Sequence, residues 1–161
     1  MTVLTVTKDT DALTLTFIAE FAADVDRVWQ VWEDPRQLER WWGPPTWPAT
    51  FTSHELSVGS RSSYFMTGPD GTKAGGWWLV TTVDAPARLE FDDGFADADG
   101  NADDSIEPVH AIVTLESIDG GTRMTTLSQF VSLDQLEKLV EMGMQEGMTL
   151  AMGQIDDVLA A

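Results

Sequence analysis

The C-terminal run SLDQLEKLVEMGMQEGMTLAMGQIDDVLAA, Ser132 to Ala161, decides how the rest of the chain is read. Leu136, Val140, Met144, Met148, Ala151, Ile155 and Val158 recur in it at intervals of four and three. That spacing collects side chains on one face of an α-helix. Ser132, with Gln135 three residues on, opens the run as a capping box. The spacing predicts one long helix of about seven turns with a single apolar stripe. Gly143, Gly147 and Gly153 fall inside it, each costing roughly 1 kcal/mol relative to alanine in a helix interior. Either tertiary packing overrides that cost, or one face needs close approach to a sheet or to something bound beneath it. A helix with such a stripe must bury it, and the sequence upstream has to supply the surface.

Upstream lie strands. Val109 to Ile118 and Thr122 to Val131 flank Asp119-Gly120-Gly121 and read as a hairpin. Before them come Pro48 to Leu56, Gly59 to Thr67, Gly75 to Val83 and a short Arg88 to Phe91, with Gly68-Pro69-Asp70-Gly71 as a turn. Asp92 to Glu107, rich in Asp, Ala and Gly, reads as a long acidic loop. Ala12 to Phe21 alternates apolar and polar, the pattern of a half-buried strand. Asp24 is then an N-cap for a helix carrying Val25, Val28, Trp29 and Trp32. Asp34-Pro35 stops that helix and starts another, which reaches about Trp41. The expected architecture is α+β: one domain over 1–161, a curved antiparallel sheet of about seven strands wrapped around the long C-terminal helix, and two short helices after the first strand.

The 161 residues include 27 acidic and 9 basic ones, for a net charge of −18. A surface of that sign repels phosphate backbones and anionic membranes, so neither nucleic acid nor membrane is an expected partner. There is no cysteine, which removes disulfides, thiolate metal sites and a cysteine nucleophile. With no leader-like start and no long apolar run, the expected location is the cytoplasm.

Catalytic signatures are sparse. His54 and His110 are the only histidines. His54 neighbours Glu55, but adjacent strand residues face opposite sides. His110 has the parity of Ile112 and Thr114 and is expected outside the sheet's hollow. There is no zinc-protease, nucleophile-elbow or phosphate-loop motif. Asp97 to Asp104 is acidic, but the glycine and glutamate that a calcium loop needs are replaced by Ala102 and Pro108. No cofactor and no metal is expected. The apolar inventory is richer. Met144 and Met148 on the last helix, facing Tyr64, Met66, Phe91, Met124 and Thr126 of matching strand parity, outline a mostly apolar ligand pocket with a few hydroxyls.

The run Val28-Trp29-Gln30-Val31-Trp32 through Leu38-Glu39-Arg40-Trp41-Trp42-Gly43-Pro44 resembles the entry helices and WWGP corner of the START-like (SRPBCC, helix-grip) superfamily, in the branch related to the activator of the Hsp90 ATPase. The likeness continues through Met66 to Gly71, Pro86 to Phe91, Gly121 to Thr125 and Met142 to Gly147. It implies the helix-grip fold and a ligand cavity between sheet and long helix. It also makes Trp78 inward-facing and part of the pocket, which leaves Trp77 a candidate for an exposed residue or a homodimer contact. Trp78 stands where the family commonly has a small residue, and Met148 where it commonly has an aromatic one. The expected function is binding of a small apolar or aromatic molecule. The alternatives are a cyclase- or dehydratase-type enzyme using Glu20, Glu55, Glu90 or His110, and, by resemblance alone, a chaperone-linked interaction protein. One fold hosts many functions, so the site must choose among them.

Overall fold

Alternation of apolar and polar residues shapes most of the chain. The computed structural model describes residues 3–97 and 99–160, and Ala98 of the acidic loop lies outside the described residues. Among these residues eight strands form one antiparallel sheet: β1 (Val3–Asp9), β2 (Thr14–Phe21), β3 (Ala49–Ser53), β4 (Arg61–Thr67), β5 (Lys73–Asp84), β6 (Arg88–Ala96), β7 (Val109–Ile118) and β8 (Gly121–Gln129). Their order across the sheet is β1-β2-β8-β7-β6-β5-β4-β3. The expected seven strands become eight because β1 pairs with β2 in a hairpin, with Thr5 opposite Ile18. The short helices therefore follow the second strand. Strand β6 also runs five residues beyond Phe91, through Asp92 and Asp93 to Ala96, shortening the acidic loop.

Along β2, Leu15, Phe17, Ala19 and Phe21 are buried in strict alternation. Leu89 and Phe91 of β6, Val113 and Leu115 of β7 and Met124 of β8 join them in one core. Each large side chain so buried contributes about 1.5–3 kcal/mol relative to exposure.

Helix α1 (Val25–Glu33) begins at Asp24, whose carboxylate accepts the Arg27 N–H at 2.8 Å. Asp34 ends it and caps α2 (Pro35–Leu38), accepting the Arg36 N–H at 2.9 Å. Val28, Trp29, Val31 and Trp32 form the buried face of α1. The Trp41 indole N–H donates to the Val31 carbonyl at 2.9 Å, folding the following corner back under α1.

The long C-terminal helix is in fact three segments: α3 (Leu133–Glu141), α4 (Met144–Met152) and α5 (Ile155–Ala160). Gly143 separates the first two with φ of +97°, a left-handed conformation in which a Cβ is unfavourable. Gly153 caps the end of α4. The Ser132 hydroxyl does accept the Gln135 N–H, as the sequence predicts. Gln154 donates to the Gly43 carbonyl at 2.7 Å, and Arg27 to the Val158 carbonyl at 2.9 Å, so α5 and the residue before it are tied to α1 and to the loop after α2. No helix among the described residues is long and apolar enough to cross a membrane.

Candidate functional site

In α4 only Ala151 and Met152 are buried, so its first turns are not packed flat on the sheet. A cavity of about 290 Å³ lies under them. Its floor comes from Tyr64 and Met66 of β4, Asp93 and Phe95 of β6 and Val109 of β7; Trp42 and Pro44 form one end. Leu139, Met142, Met144 and Met148 cover it from α3, α4 and the kink between them. At about 30 Å³ per molecule of liquid water, the space equals roughly ten waters, enough for a bicyclic aromatic compound.

One polar pair stands in this apolar setting. The Tyr64 hydroxyl donates to Asp93 Oδ1 at 2.9 Å. The two residues belong to strands on either side of β5, and Gly76 of β5, the register partner of Tyr64, makes the reach possible. A Cβ there would stand 2.8 Å from Tyr64 Cε1 and closer still to Cζ and the hydroxyl oxygen. Asp93 keeps partial exposure, and since its side chain lines the cavity, that surface is cavity wall. Removal from bulk water pushes its carboxyl up to about 7, the hydrogen bond from Tyr64 only partly opposing the rise. Burial likewise raises the Tyr64 phenol well above its usual range, and the adjacent Asp93 adds to this. The nearby Trp42 indole N–H, which pulls weakly the other way, finds no hydrogen-bond partner of good geometry.

Of the residues expected to line the pocket, Tyr64, Met66, Met144 and Met148 meet at this cavity. Trp78, Phe91, Met124 and Thr126 do not, and for them the expectation is corrected. They point inward, but they are consumed by packing. The Trp78 ring stacks on Phe91 with centroids 3.9 Å apart and meets Trp42 edge-on at 4.9 Å. Met124 Sδ accepts the Trp32 indole N–H at 3.3 Å, and Thr126 is 2% exposed. These aromatics fill the deep part of the hollow and confine the open space to the end beneath the α3–α4 kink.

Asp93 is the residue that sequence reading missed. Leu89, Phe91 and Phe95 alternate inward, and extending that period through the double aspartate places Asp93 on the same face.

None of the acid–base residues considered from sequence reaches the cavity. Glu20 pairs with Arg123 at 2.9 Å, and Glu55 is exposed. His110 sits between Glu90 Oε1 at 3.0 Å and Asp92 Oδ1 at 2.8 Å, outside the cavity as expected. Partial burial disfavours its charge, but the two carboxylates outweigh this and raise its pKa. His54 bridges the core: its Nε2 lies 2.7 Å from the Trp32 carbonyl and its Nδ1 2.7 Å from the Ser62 hydroxyl. A carbonyl only accepts, so Nε2 carries the proton and Nδ1 accepts from Ser62. Burial lowers the pKa of this satisfied, neutral ring. Trp77 is not the exposed residue expected. It is half-buried, lies over Gly94, donates its N–H to the Phe95 carbonyl at 3.1 Å and carries Arg61 on its ring at 4.7 Å. Among the described residues no cluster of three or more potential ligands could hold a metal ion.

Comparison with known proteins agrees with this architecture. The family model described as activator of Hsp90 ATPase homolog 1-like protein matches residues 22–160. A solution structure of an Arthrobacter aurescens protein is 60% identical, with a TM-score of 0.93 over 97% of this chain and 91% of that one. A crystal structure of a Mycobacterium smegmatis protein is 47% identical, with a TM-score of 0.90 over 98% and 97% of the two chains. A Staphylococcus epidermidis protein shares the fold at 24% identity, with a TM-score of 0.84 over 97% and 93%. No curated protein matches the sequence. With the family model covering nearly the whole chain and a helix-grip sheet beneath it, the chain belongs to the activator of Hsp90 ATPase homolog 1-like family of the START-like superfamily.

Proposed function

We propose that this protein binds a small apolar or aromatic molecule in the cavity between the sheet and the α3–α4 segment. The observation that carries the reading is a mostly apolar hollow of about 290 Å³ containing a single polar pair, Tyr64–Asp93. This is the usual makeup of a small-molecule site: apolar walls for affinity, a few fixed polar atoms for orientation. A ligand burying about 200 Å² of apolar surface gains roughly 5 kcal/mol. Lost translational and rotational freedom costs about 4 kcal/mol or more. The contact with Tyr64–Asp93 therefore decides whether binding is useful.

Thermal unfolding in the presence of a broad library of lipophilic compounds tests the proposal. Ligands raise the melting temperature progressively with concentration, and the cavity-filling variant Met148→Trp loses the effect. A library that leaves the wild-type melting temperature unmoved refutes the reading.

A second reading, acid–base catalysis of the cyclase or dehydratase type, is favoured by one observation. A carboxyl, Asp93, lines the cavity, and burial raises its pKa to about 7, near the value at which it can both give and take a proton. Recovery of bound ligands chemically changed by the wild type, and unchanged by Asp93→Asn, would separate catalysis from binding. Recovery unchanged from both would reject it.

A further inference from the structure

We propose that the cavity selects an apolar or aromatic molecule that carries a protonated amine, which pairs with the Asp93 carboxylate beside the Trp42 and Tyr64 rings. The inference rests on the ligand-binding reading above and adds the chemical class.

The polar atoms at the site form a directional set. Tyr64 has committed its proton to Asp93 Oδ1. The Trp42 indole N–H is a second donor nearby, buried and without a partner of good geometry. Asp93 Oδ2 is left as an acceptor with no hydrogen-bond partner among the described residues, and no Lys or Arg among them pairs with this carboxylate. The register partners of Asp93 on the neighbouring strands are Trp78 and Val109, both apolar. From above come Leu139, Met144 and Met148, which carry no charge. Among the described residues, Tyr64 is the one titratable group that touches it. His110, Asp92 and Glu90 are engaged with one another, and Asp92, the adjacent strand residue, turns to the opposite face.

An ionised carboxylate in such surroundings lacks a countercharge, and a ligand cation supplies it. Against the ionised Asp93, a carbonyl or carboxylate ligand would instead set lone pairs against lone pairs. The rings of Trp42 and Tyr64, edge to face with centroids 6.1 Å apart, add aromatic surface that attracts a cation. The net charge of −18 raises the local concentration of cations over that of anions.

The pH dependence of affinity separates the ligand classes, because an amine needs Asp93 ionised. With that carboxyl titrating at about 7, the competent fraction rises about tenfold between about pH 6 and about pH 8, and so does the apparent affinity.

The experiment compares three probes of one shape, naphthylethylamine, naphthylethanol and naphthylacetate, by calorimetric titration of the full chain at both pH values. The expected result is that the amine binds at least about tenfold more tightly than the alcohol at the higher pH, and the acetate most weakly. Amine affinity rises about tenfold across the pH range while alcohol affinity stays level. In Asp93→Asn, which keeps the side chain's shape, the preference for the amine disappears and the alcohol still binds. Equal affinities for amine and alcohol, or tightest binding of the acetate, overturn the amine assignment while leaving the cavity as a binding site. Failure of all three probes to bind overturns both readings. The wild-type pH series needs no variant, so misfolding of Asp93→Asn leaves the test intact.

Discussion

Asp93→Asn should stabilise the protein, and by an amount that grows with pH. In the unfolded chain an aspartate loses its proton near 3.8, whereas folded Asp93 keeps it to about 7. Between those values the folded state holds a proton that the unfolded state has released. The group's contribution to stability therefore falls as pH rises through that window and is level above it. At about 1.4 kcal/mol per pKa unit, the loss across the window is about 4 kcal/mol, a large part of the 5–15 kcal/mol typical of a domain. Asparagine has no proton to lose, and its amide oxygen still accepts from Tyr64. Urea unfolding followed by tryptophan fluorescence, run on both proteins from about pH 4 to about pH 8, measures the difference. Subtracting the two curves cancels His110 and every other group they share. The variant's advantage should rise by about 4 kcal/mol from the acid to the neutral end. A difference that does not change with pH would refute the claim that burial in the cavity wall keeps Asp93 protonated, and with it the electrostatic account of the cavity.

Gly76→Ala should break the Tyr64–Asp93 hydrogen bond, since the new methyl group occupies the path of the phenol ring; with overpacking included, a loss of about 2–4 kcal/mol is expected in chemical denaturation. His110→Gln should cost more at about pH 5.5 than at about pH 8.5 in the same assay. The raised His110 pKa makes its stabilisation fully present below the unfolded value of 6.5 and lost as pH climbs through the folded one. Gly143→Ala meets no atom within 4 Å, so its cost is that of the left-handed backbone alone, about 1–2 kcal/mol, seen as a melting temperature lower by a few degrees.

Much of the architecture could be read from local chemistry. Asp24 and Ser132 announce helix starts, and each caps a backbone N–H three residues on. The parity of Phe17, Phe91 and Met124 assigns them to the inner face, where they are buried. Parity does not tell a cavity wall from a packed core. Both point inward, and only the fit of the Trp78 and Phe91 rings closes one end of the hollow. Strand β1 leaves little trace in the sequence because Leu4 and Val6, half-buried on an edge, give too few apolar alternations to stand out. Asp93 was hidden by its neighbours: two consecutive carboxylates running into an acidic loop resemble solvent-exposed chain. Yet one turns out to His110 and the other in to Tyr64. The helix breaks were equally opaque, because an apolar stripe survives a kink when the segments on both sides still face the sheet.

The division of the C-terminal helix has a further effect on how the binding space is tailored. A single rigid rod lying across eight strands would couple every change in headroom to the docking of α5 against α1. Here Arg27 and Gln154 clamp the far end, while Leu136 and Leu139 anchor the near end. The nine residues of α4 bridge two fixed abutments like a separate span. Substitutions at Met144 or Met148 in that span can reset the ceiling height above Asp93 and leave the foundations of the fold untouched.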